Sequence, residues 1–180
     1  LLTGEWYGPV TYSYLADDGQ SRQTDKFYAD MKFFQYANTR DALSGEGVET
    51  DYKYNDDGSV ADQQTLEFKW YIDDNYDIYI KYKNSGATFV MDYGSSQAGF
   101  HLGYEKGHDK DTFWGYMIGT GSSKGDVIYI DLERVNQTSQ AKAFGSSKTS
   151  EKTVKSSSSF GKGATIKPLK TDSSRLNNRR

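Results

Sequence analysis

Residues 66–73, "LEFKWYID", and residues 76–83, "YDIYIKYK", decide the fold. In the first stretch Leu66, Phe68, Trp70 and Ile72 fall on one side, with Glu67, Lys69, Tyr71 and Asp73 on the other. In the second, Tyr76, Ile78, Ile80 and Tyr82 repeat the pattern. Strict alternation with a period of two marks a half-buried strand. The Asp74-Asn75 pair between the two runs is hairpin chemistry.

The same period continues outward. Toward the N-terminus it groups Trp6, Val10, Tyr12 and Tyr14; then Phe27, Ala29, Met31 and Phe33; then Val48, Thr50, Tyr52 and Tyr54. Toward the C-terminus it groups Ala87, Phe89, Met91 and Tyr93; Ala98, Phe100, Leu102 and Tyr104; Trp114, Tyr116 and Ile118; and finally Ile128, Ile130, Leu132 and Arg134. Each set is predicted to face the core. The intervening segments, such as "DDGQS" at 17–21, "NDDGS" at 55–59 and "GTGSSKGD" at 119–126, are turn sequences. Residues 1–135 contain no helical period beyond one possible turn within 55–65. About eight to nine short strands with tight connections predict an all-β, up-and-down antiparallel meander. Closure into a barrel removes its edges; the long crossovers of a two-sheet sandwich do not fit the short gaps.

Composition explains how such a chain fills a core. Only 35% of the 180 residues are hydrophobic, but 15% are aromatic, so rings carry much of the buried area. The absence of cysteine excludes disulfides, thiolate metal sites and cysteine nucleophiles. Apolar runs of a few residues exclude a membrane-spanning helix. Ten of the 22 Lys and Arg residues fall in 136–180 against two of the 25 acids, which makes the body acidic and the tail basic. Such a split separates two physical units: a barrel over 1–136 and a Ser/Lys/Gly-rich tail over 137–180, expected to be flexible because it has little apolar surface to bury. Within the tail "AFGSSK" at 143–148 and "SFGKGA" at 159–164 are weakly alike. The chain opens on Leu1, and a processed, exported protein is expected.

Trp6 in the first strand and Arg134 in the last both fall in phase with the core. A closing barrel brings these strands together, so that the guanidinium stacks on the indole. "GEW" at 4–6 and "LERV" at 132–135 resemble the Gly-x-Trp opening and late arginine of lipocalins and their calycin relatives, nearest to small secreted lipocalin-like domains of bacteria. The resemblance covers about residues 1–136. It implies a barrel closed at one end by Gly4, Trp6 and Arg134, and an open end that takes a small molecule. The chain departs from the pattern: it has no cysteine and no clear C-terminal helix, and "TDYKY" at 50–54 comes too early for the second family motif.

Catalytic signals are weak. His101 and His108 lie outward or in a turn, with no nucleophile in a recognisable setting. The turn aspartates solvate loops, and neither "NDDGS" nor "DKD" has the spacing of a calcium loop. "GTGSSKGD" leads into a strand rather than the helix a phosphate loop needs. Glu46 and Glu49 differ in strand phase, which argues against joint acid–base work. No enzyme activity, cofactor or metal is expected. Nucleic-acid binding is not expected either, because the body is acidic and the tail lacks interleaved stacking rings.

The rings are the feature with functional content. Tyr52, Phe68, Trp70, Phe89, Tyr104, Trp114 and Tyr116 are the expected ligand contacts, suited to a small molecule with apolar faces and polar edges. The alternative is a filled barrel acting as a secreted, periplasmic or cell-envelope interaction module, with Tyr7, Tyr71, Tyr79 and Tyr129 as an outer aromatic patch.

Overall fold

The computed structural model describes residues 1–135 and 160–165. Nine strands follow one another: β1 (Gly4–Leu15), β2 (Arg22–Gln35), β3 (Ser44–Tyr54), β4 (Val60–Ile72), β5 (Ile78–Tyr82), β6 (Thr88–Met91), β7 (Phe100–Gly103), β8 (Thr112–Thr120) and β9 (Val127–Arg134). All pair antiparallel. Strands β1 to β6 form a meander, β9 and β8 extend it beyond β1, and β6 pairs with β8 to close an eight-strand ring. Strand β7 lies outside this circuit and pairs with β8 alone. The fold is the all-β closed meander that the alternation predicts.

The turn chemistry is explicit at the β4–β5 hairpin. Asp73 Oδ1 accepts the amides of Asn75 and Asp77 at 2.9 and 3.0 Å, and Tyr76 takes a φ of 65°. The core runs along the barrel axis and is mostly aromatic: Trp6, Tyr12, Phe33, Phe68, Trp70, Tyr82, Phe89 and Phe113 are all buried. These rings meet edge-on, as Phe33 does with Phe68 at 5.0 Å and with Trp70 at 5.9 Å, an arrangement that ring quadrupoles favour.

Two strands present the face opposite to the one predicted. In β3 the interior receives Gly45, Gly47, Glu49 and Asp51, while Tyr52 and Tyr54 point outward. In β8 it receives Phe113, Gly115, Met117 and Gly119, while Trp114 and Tyr116 are only partly buried. The reason is volume. A Cβ on Gly47 would lie 2.1 Å from the Phe68 ring, so the neighbouring strand's phenylalanine claims that space and β3 turns its tyrosines out.

The tail supplies the second correction. Residues 160–165 do not extend away from the barrel. Phe160, Gly161, Lys162 and Gly163 are buried, and Gly161–Thr165 forms a short 3₁₀ turn. The rest of the predicted flexible extension, including 143–148, lies outside the described residues. Among the described residues no helix is long and apolar enough to cross a membrane.

Candidate functional site

The interior of β3 carries two acids where a barrel core normally carries hydrocarbon. Both Glu49 and Asp51 are fully buried. Two desolvated carboxyls two residues apart on one face are costly unless paired. The partner comes from the tail: Lys162 Nζ donates to Glu49 Oε2 at 2.8 Å, with both side chains withdrawn from solvent. Tyr82, on β5, donates its hydroxyl to Glu49 Oε1, and the Lys162 ammonium lies 5.5 Å from the centre of the Tyr82 ring.

Asp51 has a different environment. Gln64 of β4, its register partner, donates Nε2 to Asp51 Oδ2 at 2.9 Å. The same amide group donates to the Phe160 carbonyl at 2.6 Å and accepts from the Phe160 amide at 3.3 Å. Gln64 therefore ties the tail backbone to the carboxyl beside it. Asp51 Oδ1 is buried and meets no donor. Burial, reinforced by the Glu49 charge, pushes the Asp51 carboxyl well above the usual carboxylate range. Burial pushes Glu49 the same way, but the Lys162 ammonium and the hydrogen bonds from Asp51, Lys162 and Tyr82 win, and it stays below its ordinary value. Two carboxyls whose proton affinities are driven apart thus sit side by side near an ammonium.

The segment fits by shape as well as charge. Phe160 packs edge-on against Phe27 at 5.4 Å, with the Lys53 ammonium 4.7 Å from its ring centre. Gly161 has a φ of +53°, and a Cβ there would lie 2.8 Å from the Phe27 ring. A Cβ on Gly163 would lie 2.4 Å from Gln64 Oε1. The site therefore takes phenylalanine, then lysine between two glycines.

Comparison with family models, with curated proteins and with solved structures returns no match.

The rings predicted as ligand contacts divide between two environments. Phe68, Trp70 and Phe89 are core residues. Tyr52 faces outward, stacked on Tyr54 at 5.9 Å. Tyr104 is 75% exposed. Trp114 stacks on His101 at 5.4 Å and donates Nε1 to Glu105 at 2.9 Å, and Tyr116 meets Tyr129 edge-on at 5.1 Å on the outer face. Trp70 and Phe89 also contribute to an open cleft of about 690 Å³, whose exposed walls include Tyr36, Lys69, Tyr71 and Lys81 beside half-buried Tyr79. The outer rings Tyr7, Tyr71, Tyr79 and Tyr129 do not form one patch among the described residues: Tyr71 stacks on Tyr79, Tyr129 meets Tyr116, and Tyr7 joins Tyr28.

At one end of the barrel Trp6 and Arg134 are register partners, and the guanidinium carbon lies 4.2 Å from the indole centre. Arg134 donates to the carbonyls of Thr3 and Leu1, and Trp6 Nε1 donates to Leu2 at 2.9 Å. The two terminal nitrogens are thereby satisfied, while Nε makes no hydrogen bond and lies 3.6 Å from Asp111 Oδ2. Gly4 begins β1 beside them, paired with Phe33.

Sequence reasoning passed over Glu49 as half of a mismatched acid pair and did not reach Asp51, Gln64, Phe160 or Lys162 as site residues. The available signal was a pair of acids in phase with Gly45 and Gly47, together with a glycine-flanked lysine following a phenylalanine in an otherwise polar tail.

Proposed function

We propose that this chain is a non-catalytic, lipocalin-like binding barrel of the calycin type, whose interior site takes a small amphipathic ligand combining an aromatic ring with a primary amine. Its own residues 160–163 stand in that site as an internal ligand. The carrying observation is the fully buried Lys162–Glu49 ion pair at 2.8 Å, with Asp51, Gln64 and Tyr82 around it. A carboxylate site inside a barrel selects a cation, and the Phe27 face beside it selects a ring. Placement outside the cytosol follows only from the resemblance to secreted bacterial lipocalin-like domains.

The test is a calorimetric titration of a capped peptide of residues 158–165 into the full chain carrying Phe160→Ser and Lys162→Ser. Saturable one-to-one binding is expected, and about 10- to 100-fold weaker binding when the peptide's lysine is replaced by methionine, the loss of a charge-assisted hydrogen bond. No binding to a variant whose circular dichroism shows a folded sheet contradicts the reading.

A second reading, an envelope interaction module, is favoured by one feature. Tyr7, Tyr28, Tyr52 and Tyr54 form a continuous outer row across β1, β2 and β3, with Tyr7 stacked on Tyr28 at 5.8 Å and the Tyr7 and Tyr54 hydroxyls 2.9 Å apart. Such a row of rings with polar tips suits a protein surface.

A further inference from the structure

The groups around Lys162 are those of an amide-forming reaction. An amine and two carboxyls, Glu49 paired with the amine and Asp51 hydrogen-bonded by Gln64, are all buried together in the core. Lys162 Nζ already donates to the Glu49 carboxylate. Asp51 lies two residues along the same strand on the same face, a separation of roughly 7 Å between Cα atoms that both side chains can span. Gln64 Nε2 donates to Asp51 Oδ2, which marks that atom as the carbonyl oxygen and polarises it. Asp51 Oδ1, with no donor of its own, is satisfied by carrying a proton toward Glu49.

We propose that Lys162 and Asp51 condense to an intramolecular isopeptide bond, with Glu49 carrying the proton between them. This rests on the reading that residues 160–163 occupy the interior site. Glu49 takes one proton from the Lys162 ammonium. The freed amine attacks Asp51 Cγ, and the carbonyl oxygen facing Gln64 holds the charge that develops. Glu49 returns its proton to the departing Oδ1 hydroxyl, which leaves as water, and takes the second proton from nitrogen. One N–C bond forms and one C–O bond breaks. An ammonium, a carboxylic acid and a carboxylate become an amide, a water and a neutral Glu49, so the four protons balance without oxidant, metal or cofactor.

Two physical terms favour the step. Positioned intramolecular partners reach effective concentrations on the order of 10⁵–10⁸ M. The products carry no buried charge, whereas the reactants hold a desolvated ion pair. The flanking glycines let the backbone bring the amine in, and Phe160 packed on Phe27 closes over it. The bond would lock the tail into the barrel and convert a displaceable plug into a permanent seal.

The experiment is intact mass spectrometry of the purified full chain. The wild type is expected to be lighter than its sequence by one water, with tandem spectra of a digest giving a branched peptide that joins the β3 segment at Asp51 to Lys162. Lys162→Arg and Asp51→Ala chains are expected at full sequence mass, Glu49→Gln mostly unreacted, and Asp51→Asn lighter by one ammonia instead of one water. A wild-type chain at full sequence mass after prolonged incubation at neutral pH overturns the inference, as does a branch that maps to Glu49. The peptide titration separates this from the binding reading: binding by the Phe160→Ser/Lys162→Ser chain without a denaturant-resistant adduct sinks the covalent step alone, and no binding sinks both.

Discussion

The Lys162 ammonium and the Glu49 carboxylate face each other at 2.8 Å across 113 residues of sequence, and neither side chain reaches solvent. This relationship makes residues 160–163 of the tail part of the barrel's interior. Removing one partner leaves an uncompensated buried charge. In the Asp51→Ala background, where no amide can form, Lys162→Met is therefore expected to lower unfolding stability in denaturant by about 3–5 kcal/mol, and Lys162→Met combined with Glu49→Gln to recover a substantial part of that loss. Equal losses in the single and double variants would show that the two charges are not coupled.

The glycines around Lys162 are expected to be intolerant. Gly163→Ala places a methyl where Gln64 Oε1 now lies, and Gly161→Ala adds one against Phe27 at a positive φ. In the Asp51→Ala background, where the amine stays free, each should raise the rate at which Lys162 reacts with an amine-modifying reagent, while the far-ultraviolet dichroism of the strands stays as it is. Retained protection would mean that the segment tolerates a side chain there.

At the closed end, Trp6→Ala removes a fully buried indole together with its stacking on Arg134 and its edge contact to Phe113 at 5.5 Å. A loss of about 3–5 kcal/mol is expected, read as a lower melting temperature, with the affinity for the 158–165 peptide unchanged in the Phe160→Ser/Lys162→Ser background. Unchanged stability would show that the Trp6–Arg134 pair does not hold β1 to β9.

Asp30 provides a pH signature. Burial and a hydrogen bond with Glu5 raise its carboxyl to about 8 against the opposing charge of Lys32. The folded chain thus holds a proton that the unfolded chain releases from about pH 4 upward, so this group's contribution falls as pH rises between about 4 and 8. Asp30→Asn, which cannot titrate, should gain stability relative to wild type across that interval and match it most closely at the acid end. A constant difference at every pH would place the Asp30 titration elsewhere.

The fold was legible because alternation is dictated by the pleat, and seven of the nine strands turn the predicted face toward the core, with further tyrosines left on the outside. β3 and β8 were read on the wrong face for a common reason. In a narrow barrel the interior cannot accept a ring from every strand, so some strands contribute glycine inward and rings outward; Gly47 beneath Phe68 and Gly115 against Gly99 and Phe100 are such positions. The ring-first reading then assigns Tyr52, Trp114 and Tyr116 to the core. The site was not legible for a second reason. Glu49 and Asp51 look like the solvated side of a strand until a cation from more than a hundred residues away is placed beside them, and nothing in local pattern announces a contact of that range. Trp6 and Arg134 were readable across a similar distance because both obey the core phase of their own strands.

The most direct measurement is lysine reactivity by mass spectrometry. The folded full chain is treated with an acylating reagent, and the extent of modification at Lys162 is compared with that at exposed Lys69 and Lys81. The account predicts that Lys162 stays unmodified while Lys69 and Lys81 react, and that Lys162 becomes reactive in a chain carrying Glu49→Ala and Phe160→Ala. Modification of wild-type Lys162 at the rate of Lys69 and Lys81 would contradict a tail segment seated inside the barrel.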